Sequence, residues 1–120
     1  MNKQLVKFNF VNKSGSDISV KLLPVRIRHL DSYNSIRNKE TVLQIKNGDS
    51  ADFQDMVYTA LGSFQIIIQR VNYSKLVQFQ RLMDNLDGAS YINFYITSGD
   101  RKITSSSGHS STHYAIFLKK

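Results

Sequence analysis

The chain has 120 residues, 41% of them hydrophobic and 21% charged. That balance suits one folded domain with a real core and excludes a disordered composition or an obvious two-domain layout. The absence of cysteine excludes disulfides, thiolate metal sites, iron–sulfur clusters and a cysteine nucleophile. A net charge of +7 can attract phosphates or anionic lipid, but no run of five like charges forms a basic arm.

The opening segment, residues 1–10, is interrupted by Lys7 and Asn9 where a secretory signal would be apolar. No window approaches the roughly 18 apolar residues of a membrane-spanning helix. The expected location is the cytoplasm, with release by lysis or non-classical export as the alternative.

Residues 4–11 alternate, with Leu5, Lys7 and Asn9 on one side and Val6, Phe8 and Phe10 on the other. This is the period of a half-buried strand. The turn-like Asn12–Asp17 leads into a second strand over 18–30, where Val20 and Leu22 share a face. After Pro24 the apolar set moves one residue out of phase, to Val25 and Ile27, which predicts a bulge or an edge strand. A third strand spans 41–46, before Asn47-Gly48.

Phe53, Met56, Val57, Ala60 and Leu61 follow helical spacing, with Asp52 and Asp55 in the first turn and Gly62 as a stop. A short helix over 50–61 is expected. Residues 64–71 read as a buried strand. Residues 74–87 fit a helix by Leu76, Phe79, Met83 and Leu86, but their charges oppose the helix dipole, so a strand is favoured. The last third reads as strands over 90–97, 101–104 and 112–118, with Ser98-Gly99-Asp100 as a tight turn between the first two.

The sum is a single domain, residues 1–120, built as a small antiparallel β-sandwich of six or seven strands with one or two short helices. An α+β arrangement is the alternative.

Hydrolytic chemistry needs a nucleophile, a base and an orienting group. No serine lies in Gly-x-Ser-x-Gly. Gly48-Asp49-Ser50 is similar to the opening block of an esterase superfamily, but its Asp-x-x-His partner block is missing. His109 and His113 lie in a loop-like stretch, and on an extended chain they would be about 13 Å apart, too far to share an ion. No phosphate-cradling glycine loop occurs. The expectation is a protein that is not an enzyme and needs no metal or cofactor.

Surface aromatics carry the stronger signal. In residues 91–96, Ile92, Phe94 and Ile96 alternate with Tyr91, Asn93 and Tyr95, which therefore share a face. Tyr114, with Ile116 and Leu118, forms a half-polar row that would extend this tyrosine face if the two strands were neighbours. Arg101 and Lys102, with Arg26 and Arg28 on an early strand, are candidate phosphate contacts. Tyrosine and arginine are enriched in protein interfaces, and basic tyrosine faces can stack single-stranded bases. The lack of tryptophan weighs against a membrane-interface or sugar-stacking surface.

The strand, Asn-Lys-Ser-Gly-Ser-Asp turn and strand at the start resemble, over about twenty residues, the first hairpin of several small β-sandwich families, including the membrane-binding aegerolysins. The later Trp- and Cys-containing blocks of that family are absent, so no functional residue carries over. The expected function is a non-catalytic binding or self-assembling module, with self-association or a protein partner. The alternatives are a basic nucleic-acid-binding protein and a membrane-active, toxin-like subunit.

Overall fold

A computed structural model describes residues 3–24, 40–58, 64–71, 77–83 and 90–119. Nine strands run through them: β1 (Lys3–Lys13), β2 (Ile18–Pro24), β3 (Thr41–Ile45), β4 (Ser50–Tyr58), β5 (Phe64–Arg70), β6 (Phe79–Met83), β7 (Tyr91–Ser98), β8 (Thr104–Ser107) and β9 (Ser111–Leu118). They form a five-stranded sheet in the order β4-β1-β7-β9-β8 and a four-stranded sheet in the order β3-β2-β5-β6. The protein is a mainly-β sandwich, and no helix occurs among the described residues.

Alternation drives this architecture. Each strand that buries one face must place its apolar residues two apart, and the buried set obeys that rule. Val6, Phe8 and Phe10 from β1 meet Ile92, Phe94 and Ile96 from β7 on the inner face of the larger sheet. Val20, Leu22, Phe64, Ile66 and Ile68 line the smaller sheet and complete the same core. Phe8 joins the two sheets through Phe64, whose ring meets it edge-on at 5.1 Å between centroids. Phe10, Phe94 and Tyr114 stack side by side across three strands, at 4.9 Å and 5.3 Å.

Four expectations are corrected. The expected helix over 50–61 is strand β4 as far as Tyr58, and 59–63 lie outside the described residues. Its pairing with β1 places Ala51 and Phe53 towards the core and Ser50, Asp52 and Gln54 outside. Asp52 does not serve a helix dipole: on this sheet-edge strand it lies 3.5 Å from the Lys7 ammonium. Charge on an edge strand also discourages pairing with another chain.

Second, β7 and the following strand do not form a hairpin. β9 inserts between β7 and β8, and β7 runs parallel to both of its neighbours, β1 and β9. The antiparallel expectation therefore holds for five of the seven strand pairs among the described residues. Third, β2 is not an edge strand, since β3 and β5 flank it. Pro24 is its last residue, beyond the final β2–β3 partners Leu22 and Thr41, so its missing N–H interrupts no bond to β3. The phase shift at Val25 and Ile27 lies outside the described residues. Fourth, the described residues alone hold nine strands, against the six or seven expected. The preference for a strand within 74–87 agrees with β6.

The β1–β2 and β3–β4 turns, both of which carry the chain between the sheets, are tied together. Asn12 sits on the core face of β1 and is fully buried. Its amide donates to the Ser16 and Ile45 carbonyls at 2.8 and 3.0 Å. Its Oδ1 accepts from the Ser14 N–H at 3.1 Å and the Ser14 hydroxyl at 2.7 Å. Both donors and both lone pairs are thus used, which is the condition for burying an amide cheaply. The Gly15 N–H donates to Asn47 Oδ1 and the Asn47 N–H to Asp17 Oδ1, each at 2.9 Å. Gly15 and Gly48 hold φ of 88° and 89°, a left-handed conformation that glycine adopts without a Cβ penalty.

Arg70 closes the same end of the sandwich. It occupies the inward position after Phe64, Ile66 and Ile68 and is only 3% exposed. One guanidinium nitrogen donates to the Ser14 carbonyl at 3.1 Å and the Ser16 hydroxyl at 2.6 Å. The other reaches the Ser98 hydroxyl and the Leu118 and Lys119 carbonyls at 3.1–3.4 Å. The Ser98 hydroxyl in turn donates to the Ser14 carbonyl. One side chain therefore pins the β1–β2 turn, the end of β7 and the end of β9 to β5.

Candidate binding surface

β7 is the middle strand of the five-stranded sheet. Its alternation sends Ile92, Phe94 and Ile96 into the core and leaves Tyr91, Asn93 and Tyr95 on the outer face. Tyr91 is 51% exposed and Tyr95 49% exposed, while Asn93 between them is half-buried.

Register then determines what surrounds them, because directly paired residues lie on the same face. Lys7 and Ser111 flank Tyr91, and Gln54 lies beyond Lys7. Asn9 and His113 flank Asn93, with Asp52 and Ser106 at the two ends of that row. Val11 and Ala115 flank Tyr95, with Ser50 and Thr104 outside them. The face therefore has a crosswise row of five hydrogen-bonding side chains between two rows centred on tyrosine. The Ser111 hydroxyl and His113 Nε2 lie 3.4 Å apart.

Tyr114 does not join this face, although β7 and β9 are indeed neighbours. It pairs in register with Phe94, not with Tyr95, so it points towards the core and stacks on Phe94. Its companions Ile116 and Leu118, both buried, carried that signal in the sequence. Arg101 and Lys102 are exposed in the stretch between β7 and β8. Arg26 and Arg28 lie outside the described residues, as does His29. His109 is exposed in the β8–β9 turn. Among the described residues no group of three or more His, Cys, Asp or Glu side chains could hold a metal ion, and no helix is long and apolar enough to cross a membrane.

Sequence reasoning missed the partners of the tyrosine row. The polar alternates Lys7 and Asn9 were visible in β1, but nothing local says that β1 lies beside β7. It also missed Arg70, whose signal was its even spacing from Phe64, Ile66 and Ile68.

Partial burial of Tyr114 pushes its hydroxyl above the ordinary value of 10.0, and the Arg81 charge pulls weakly the other way. A raised value means the native state holds this proton more tightly than the unfolded chain does. The associated stability is fully present below the ordinary value and is lost as pH rises through the native one. Unfolding free energy measured by urea from about pH 8 to about pH 11 should fall less steeply in Tyr114→Phe than in wild type. Parallel curves would contradict the burial of this hydroxyl.

No family model, curated protein or solved structure matches this chain.

Proposed function

We propose that the protein is a non-catalytic binding module whose binding surface is the outer face of the five-stranded sheet. The carrying observation is the placement of Tyr91 and Tyr95, each about half exposed, on the middle strand of that sheet. A tyrosine ring offers broad contact area with few rotatable bonds, and here its strand is held by a neighbour on each side. The surroundings favour binding over reaction. Lys7 is engaged by Asp52.

Self-association, nucleic-acid binding and membrane binding remain the competing uses of such a face. The double variant Tyr91→Ser/Tyr95→Ser separates the face from the rest of the molecule. Four probes cover the classes: light scattering after size exclusion, a fluorescent single-stranded oligonucleotide, anionic liposomes, and neutral polysaccharides. Wild type should engage at least one of them, and the double variant should lose about tenfold or more of that affinity with an unchanged melting temperature. Binding that ignores both substitutions, or no binding to any probe, would overturn the assignment of this face.

A further inference from the structure

We infer that Asn47-Gly48 is a site of spontaneous deamidation that the folded chain holds closed. Conversion of Asn47 to aspartate or isoaspartate then records each opening of the paired turns at this end of the sandwich. The site does not depend on the tyrosine face.

The sequence holds one Asn-Gly step, at Asn47-Gly48. Gly48 has φ of 89°, so the turn calls for glycine. The same choice exposes Asn47, because glycine has no Cβ to shield its backbone nitrogen from the preceding carboxamide. In the reaction the Gly48 nitrogen gives up its proton and bonds to Asn47 Cγ. The Cγ–Nδ2 bond breaks, and ammonia leaves with that proton. Water then opens the resulting five-membered succinimide at either carbonyl, giving aspartate or isoaspartate. One water enters and one ammonia leaves.

In the native turns both reacting groups are committed elsewhere. The Gly48 N–H donates to the Asn12 carbonyl at 2.8 Å. Asn47 Oδ1 accepts from the Gly15 N–H at 2.9 Å, which holds the carboxamide across to the β1–β2 turn. The backbone on either side is fixed too. The Asn47 N–H donates to Asp17 Oδ1 at 2.9 Å, and the Asp49 N–H to the Lys46 carbonyl at 3.0 Å. Asn12 also donates its own N–H to the Asp49 carbonyl at 2.9 Å, and it is fully buried. To react, Gly48 must leave Asn12, and the carboxamide must leave Gly15 and swing onto its own main chain. Burial offers no shelter, because Lys46, Asn47, Gly48 and Asp49 are all exposed. Protection therefore rests on these hydrogen bonds, and its size is set by how rarely they open together.

Conversion runs one way. Isoaspartate adds a methylene to the main chain ahead of Gly48, which moves the Gly48 N–H relative to Asn12. Either product adds a carboxylate to the residue whose N–H already bonds the Asp17 carboxylate, and like charges at that range repel. A molecule that has opened and reacted therefore closes less well than before.

The test follows the peptide containing Asn47 by mass, in the full chain incubated at mildly alkaline pH and then cleaved with an acid protease. Deamidation adds about 1 Da. The folded chain should convert at least about tenfold more slowly than the same chain in guanidinium chloride. The Gly48 amide should be protected from hydrogen exchange by a similar factor, since both processes need its bond to Asn12 to open. Asp17→Ala, at an exposed position, removes the partner of the Asn47 N–H and should raise the folded-state rate about threefold or more. Asp17→Asn keeps an acceptor there and should restore a rate close to wild type. Melting temperature, read alongside, separates local opening from global unfolding. Equal rates in the folded and unfolded chain, or no conversion in either, overturn the inference. So does an Asp17→Ala rate equal to wild type, or an acceleration that Asp17→Asn fails to reverse.

Discussion

Replacing Arg70 by methionine is expected to lower the unfolding free energy by about 2–4 kcal/mol. Methionine keeps much of the side-chain volume but none of the donors. The Ser14, Leu118 and Lys119 carbonyls and the Ser16 and Ser98 hydroxyls would each lose a charged partner. A hydrogen bond to a charged group contributes roughly 1.5–3 kcal/mol, and a buried acceptor left bare costs about 1–3 kcal/mol. The full sum is not expected, because removing the guanidinium also removes the cost of burying it. Against a total stability of about 5–15 kcal/mol, the remaining loss is still large. Arg70→Lys should recover only part of it, since an ammonium has three donors and no planar fork to span one turn and two strand ends. Urea unfolding of the three proteins measures this. A loss below about 0.5 kcal/mol for Arg70→Met would show that the end of the sandwich holds without this node.

Phe94→Ala is expected to cost about 3–5 kcal/mol, the range for deleting a buried aromatic ring. Its ring is 2% exposed and lies between Phe10 at 4.9 Å and Tyr114 at 5.3 Å. Removing it leaves a gap in the middle of the larger sheet, bordered on both sides by rings fixed to neighbouring strands. The next residue is the control. Tyr95 points the opposite way and is about half exposed, so Tyr95→Ala should change stability by about 0.5 kcal/mol or less. The same denaturation experiment reads both. A cost below about 1 kcal/mol at Phe94, or equal costs at the two sites, would contradict the assigned faces of β7.

These two variants also show how far the sequence could be read. The parity of β7 was legible, because Ile92, Phe94 and Ile96 alternate cleanly with Tyr91, Asn93 and Tyr95. The parity of β9 was equally legible, and it placed Tyr114 with Ile116 and Leu118. What misled was assigning that row to the tyrosine face, when two buried aliphatic residues share it. The helix over 50–61 failed for a related reason. Phe53, Met56 and Val57 fit a helical stripe, but Ser50, Ala51, Asp52, Phe53 and Gln54 already alternate, and pairing with β1 along nine residues decided for the strand. Tertiary pairing overrides such short-range ambiguity.

The sequence by itself determined the secondary-structure period, the inward residues of most strands, the mainly-β class and the exclusion of cysteine chemistry. These follow from properties local to a few residues: pleat geometry, turn preferences and composition. The tertiary structure alone decided that β7 lies between β1 and β9, that it runs parallel to both, and that Asn9 and His113 therefore flank Asn93. It alone turned Arg70 from one charged residue at a strand end into the clamp of three chain segments. Those facts depend on contacts between residues up to 84 positions apart, as in the Ser98–Ser14 bond. A period of two fixes which residues of a strand share a face, but only the pairing of distant strands fixes which face of the sandwich that is and who the neighbours are.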